Sequence, residues 1–159
     1  MIDDVEVARA LHVVFVAHWI GGVAFVTLVA LPLARACGDA EKGWALFEPI
    51  ERRFAAQVRF SIPLAGATGF WMAWRLQLWG HAEPAAWWMD AMVLLWALFM
   101  LIVFVFEPLA HRRIAAMAAH DPEALLNRLS RVHRVLLAAG IVTIFGAVAG
   151  AHGLSLIHI

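Results

Sequence analysis

Four long apolar runs, residues 8–33, 58–79, 86–109 and 134–151, leave this chain few ways to fold. A helix rising about 1.5 Å per residue needs roughly 20 such residues to cross a hydrocarbon layer of about 30 Å. A soluble domain of 159 residues has no interior large enough for all four. The chain is 64% hydrophobic and 15% charged, with a mean hydropathy of +0.80, which places it among integral membrane proteins. The fold predicted is all-α: a single four-span membrane bundle over residues 1–153, with short cytoplasmic amphipathic helices between spans.

The first run is read as a span rather than a cleaved leader. "MIDDVEVARA" is acidic where a secretory signal is basic, and the apolar run is too long for a signal core. "GDAEKGWALFEPIERRF" reads as an amphipathic helix restarting at Pro49. The fourth run is short, but "DPEALLNRLSRVHR" offers Asp121 as N-cap, Pro122 at the first helical position and Glu123 in the first turn. The last six residues, "LSLIHI", match the translation of a transposase mosaic-end sequencing adapter and are read as carried-in sequence, so His158 enters no argument.

Charge sets direction. Arg35, Lys42, Arg52, Arg53, Arg112, Arg113, Arg128, Arg131 and Arg134 fall in the two longer connections or at their borders, against Arg9 and Arg75 on the other side. The positive-inside rule puts those connections in the cytoplasm and both termini outside. Trp74, Trp79, Trp87 and Trp88 gather at the outer ends of the second and third spans, as an interfacial belt would. Lys plus Arg equals Asp plus Glu at 12 each, which removes a nucleic-acid partner on charge grounds. Cys37 is the sole cysteine, so neither an internal disulfide nor a zinc pattern can form.

Ionisable groups inside spans are costly and mark sites. On a helical wheel His18, Gly21, Gly22 and Phe25 share a face, with small residues suggesting that it points into the bundle. His12 lies about 9 Å further out and about 120° round. Ser61, Ala65, Thr68, Met72 and Arg75 form a small polar stripe on the second span, and Gly66, Thr68 and Gly69 leave room beside it for a planar macrocycle. Asp90 shares a face with Ala97 and Phe104, while Gly140, Thr143, Ala147 and Gly150 make a seam on the fourth span. The outer third is thus expected to gather His12, His18, Met72, Arg75 and Asp90. Arg75 and Asp90 would pair with each other, or Arg75 would hold an anionic group such as a haem propionate and Asp90 would steady a ligand imidazole. Soft thioether and imidazole donors also suit copper(I). His152 lies on the far side of the last helix, which weakens it as a second axial ligand.

"ALHVVFVAHWIGGVAF", "FEPIERRFAAQVRFSIPLAGATGF", "WWMDAMVLL" and "HRRIAAMAAHDPEALLNRLSRVHRVLLAAG" together resemble the CopD copper-resistance family and the related HemJ-like membrane protoporphyrinogen oxidases. The resemblance covers nearly the whole chain through short motifs. It implies a bacterial inner-membrane four-helix protein, with His12 at the matched histidine position. The HemJ side implies b-type haem and electron transfer; the CopD side implies copper handling across the membrane. Asp90 and Met92 stand where HemJ-like proteins carry a histidine and a lysine.

The expected function is therefore a haem b or metal site in the periplasmic half, serving electron transfer. His12, His18, Arg75 and Asp90 would contact the cofactor, and His12, His18 and Met72 would hold a metal. Copper transport or delivery, and a non-catalytic small membrane subunit, are the alternatives. The partners are the lipid bilayer, a redox or copper carrier, and a second copy of the chain in a homo-oligomer. No residue is assigned a catalytic role.

Overall fold

A computed structural model of the chain describes residues 3–78 and 87–151. Among the described residues all regular structure is helical, in four continuous rods. Helix α1 runs Asp4–Arg35, α2 Ala40–Arg75, α3 Trp87–His120 and α4 Pro122–Ala151. Three of them, α1, α3 and α4, are long and apolar enough to cross a membrane. Helix α2, at 36 residues, is longer still, but Arg59 and Arg75 bound its apolar stretch.

Local chemistry accounts for where the rods begin. Asp3 accepts from the Val5 amide at 3.0 Å and opens α1. Asp39 accepts from the Glu41 amide at 2.9 Å and the Lys42 amide at 3.3 Å, opening α2. Those amides hold the Asp39 carboxyl below its ordinary value. Asp121 accepts from the Ala124 amide at 2.9 Å ahead of Pro122, as its sequence context predicts.

The separate cytoplasmic amphipathic helices do not form. The segment 40–57 continues without a break into the second apolar run, through both Pro49 and Pro63. Each proline removes one N–H bond from a long, packed helix, too little to break it here. The segment after the third run likewise remains part of α3 as far as His120. Helices α1 and α3 instead absorb their prolines by widening: π turns at Val26–Ala30 and Ile102–Phe106 each end two residues before a proline, Pro32 and Pro108. The wider turn relieves the clash between the proline ring and the carbonyl four residues earlier.

The core is a continuous interior shared by the four rods. Trp19, Ile20 and Val23 of α1 meet Val58, Ile62 and Ala65 of α2, Phe99 and Val103 of α3, and Leu136 and Leu137 of α4. Trp19 meets Phe99 edge to face at 4.8 Å. Near the α1–α2 turn, Leu31 and Phe47 are fully buried beside Leu126. The outer surface is equally apolar: Phe60, Leu94, Leu109 and Val135 stand 69–74% exposed. Side chains of that kind facing outward on every rod match hydrocarbon rather than water as the surrounding solvent.

Candidate metal site and groove on the α1–α2 seam

Helices α1 and α2 are joined by a four-residue turn, Ala36–Asp39, so positions equally far from it face each other. Three polar contacts follow that pairing. At the terminal end Arg75 forks onto Asp4, Nε to Oδ2 and Nη2 to Oδ1, both at 2.8 Å. Further in, His12 Nδ1 lies 2.8 Å from the Ala65 carbonyl oxygen and 3.3 Å from Thr68 Oγ1. Toward the arginine-rich end, His18 Nε2 lies 3.1 Å from Gln57 Oε1.

The contact at His12 fixes its tautomer. A carbonyl oxygen only accepts, so Nδ1 carries the proton and donates it to Ala65. Thr68 Oγ1 spends its own proton on the Leu64 and Ala65 carbonyls, at 2.7 and 3.0 Å, and can only accept from His12. In the neutral ring Nε2 then keeps a free lone pair. The ring is half-buried and lies over Gly69, where an added Cβ would come within 3.1 Å of its Cε1. Met72, also half-buried, is one turn from Thr68 on the same face of α2. A histidine donating one nitrogen to a backbone carbonyl while presenting the other is the arrangement that metal-ligating imidazoles adopt.

The other expected site residues do not join this pair. His18 shares the predicted face with Gly21, Gly22 and Phe25, but that face lines an outward groove instead of the bundle interior. Gln57, its partner, is fifteen residues from Met72, about 22 Å along one helix. The structure therefore does not bring His18 to one position with Met72. The expected Arg75–Asp90 pair is also corrected. Arg75 is taken by Asp4, whereas Asp90 is exposed on the first turn of α3 and makes no hydrogen bond or ion pair among the described residues. Phe104, on the Asp90 face, is 44% exposed, so that face turns outward. His152 lies outside the described residues.

The room expected beside α2 is also occupied. The Trp96 indole lies over Gly66 while donating to the Ile62 carbonyl at 3.0 Å, and the His12 ring covers Gly69. On the fourth helix Gly140 receives Ile20 and Gly150 receives Trp88. These glycines are close-packing positions, and a b-type haem does not fit beside them unless the helices part.

Sequence reasoning missed Gln57, Asp4, and the Arg59–Glu107 bridge of 2.8 Å between α2 and α3. The first two were findable: counting outward from Ala36–Asp39 brings His18 opposite Gln57 and Asp4 within a turn of Arg75. Nothing comparable pairs Arg59 with Glu107, because the connection between their helices gives no such register. No family model, curated protein or solved structure matches the chain.

Proposed function

We propose that this chain is a four-helix membrane protein, both termini outside, that binds copper(I) at His12 and Met72 in the outer half of its α1–α2 seam and serves copper transport or delivery. The observation that carries the reading is the 2.8 Å contact from His12 Nδ1 to the Ala65 carbonyl, which leaves Nε2 available as a ligand. Met72 supplies a thioether one turn beyond Thr68, and a soft thioether with an imidazole selects a soft, low-coordinate ion. The direction rests on the basic residues, which crowd the end of the bundle opposite Asp4 and Arg75. The CopD resemblance points the same way.

Electron transfer through haem b remains the competing function. The occupied space over Gly66 and Gly69 favours a single ion. The purified protein, titrated with copper(I) against a chromophoric chelator, is expected to bind one equivalent. His12→Ala and Met72→Leu should each weaken binding by tenfold or more, and His133→Ala should not. No binding, or wild-type affinity in both variants, overturns the copper reading. A reduced-minus-oxidised α band in the same preparation would replace it with the haem reading.

A further inference from the structure

The same seam carries a second feature that the metal reading leaves unused. A groove of about 530 Å³ opens between α1 and α2, with His18, Gly21, Phe25, Arg53, Phe54 and Gln57 in its walls. Its floor is open: an added Cβ on Gly21 would meet no atom within 4 Å, whereas at Gly22 it would strike the Phe54 ring. At one end stands Arg53, exposed and without an ion pair or hydrogen bond among the described residues. By contrast, Arg59 and Arg75 each hold a carboxylate. A second groove, of about 490 Å³, meets the first at Ile50 and Arg53 and adds Arg52. The other end carries an exposed His18–Gln57 pair.

We infer that this groove is a binding site for one anionic glycerophospholipid of the cytoplasmic leaflet, its phosphate on Arg53 and Arg52, its glycerol backbone over Gly21 and its ester carbonyls toward Gln57. The inference rests on the membrane orientation proposed above, though not on the copper site. Charge complementarity selects an anionic head, since Arg53 lines this groove, Arg52 lines the adjoining one, and neither groove contains a carboxylate. Depth selects a glycerol ester. Gln57 is four residues, about 6 Å, further into the membrane than Arg53, and ester carbonyls lie a few ångströms below the phosphate. When His18 donates through Nε2 to Gln57 Oε1, the Gln57 amide keeps its NH₂ for a carbonyl oxygen.

Native mass spectrometry of the detergent-solubilised protein tests this, with phosphatidylglycerol, phosphatidylcholine and inorganic phosphate as separate probes. Phosphatidylglycerol should bind at one saturable site, at least tenfold tighter than phosphatidylcholine, and phosphate should not displace it at equal concentration. Arg53→Gln and Gly21→Leu should each weaken it fivefold or more, the second by filling the channel. Arg113→Gln, outside the groove, should leave it unchanged. Equal affinity for the two lipids, unchanged binding in the groove variants, or displacement by phosphate overturns the lipid site. Retention in carbonate-washed membranes is read in parallel. A chain that stays in the membrane yet shows no lipid preference refutes this inference alone, and a chain that washes off refutes the membrane reading beneath it.

Discussion

Ser61 Oγ and Trp19 Nε1 are buried in the bundle with no hydrogen-bond partner among the described residues, so each has given up water without compensation from them. Ser61→Ala is therefore expected to leave thermal stability unchanged or raise it by about 1 kcal/mol. A loss of similar size would show that a bound water satisfies the hydroxyl. Glu51 poses a different residue-scale question. Burial first, then the neighbouring Glu107 and Glu48 charges, push its carboxyl up to about 7 against the opposing pull of Arg59. The unfolded chain ionises Glu51 near its ordinary 4.5. Between those values the unfolded state binds fewer protons, so stability falls as pH rises and levels off above about 7. Glu51→Gln should match the wild type near pH 4, in the acidic range set by the ordinary carboxyl value. It should exceed it by on the order of 2 kcal/mol at pH 8. Thermal unfolding in detergent across that range checks both the sign and the window.

At the scale of elements, glycines that look alike in sequence separate by what lies opposite them. Gly66 and Gly21 both sit in apolar helices, yet the first is covered by Trp96 and the second faces open space. Gly66→Leu should cost about 1–3 kcal/mol or more through overpacking, with Gly21→Leu near neutral for folding. Equal costs would contradict the packing described. The same contrast shows what could be read beforehand. The existence of four helices follows from the length of the apolar runs, and the cap at Asp121 from its local chemistry. The stripe Ser61–Ala65–Thr68–Met72–Arg75 does face a neighbour, and receives His12 and Asp4. A helical wheel gives relative angles within one helix, however, and not which angle meets another helix. Hence the His18 and Asp90 faces were expected inside and lie outside. Glycine composition likewise cannot tell a vacancy from a contact, because the filling indole at Gly66 comes from a residue 30 positions away.

For the whole molecule, the proposed orientation puts the α1–α2 turn in the cytoplasm. Cys37, the sole cysteine, is exposed on that turn and offers a native probe. A membrane-impermeant maleimide should label it in inverted vesicles and leave it untouched in intact spheroplasts. Labelling in spheroplasts would reverse the topology and move His12 to the cytoplasmic half. Stability and site are linked at this scale too, since one antiparallel helix pair supplies the Asp4–Arg75 fork, the His12 contact and the groove.

Whether copper is held at His12 depends on which of its ring nitrogens is free, and nitrogen-15 NMR of the histidine-labelled protein in bilayers reads this directly. A protonated Nδ1 and an unprotonated Nε2 are expected for His12 at neutral pH, with the Nε2 resonance shifting on addition of one equivalent of copper(I) while His18 stays in place. A His12 ring protonated at Nε2, or an Nε2 signal that the metal leaves unmoved, would contradict copper binding at His12.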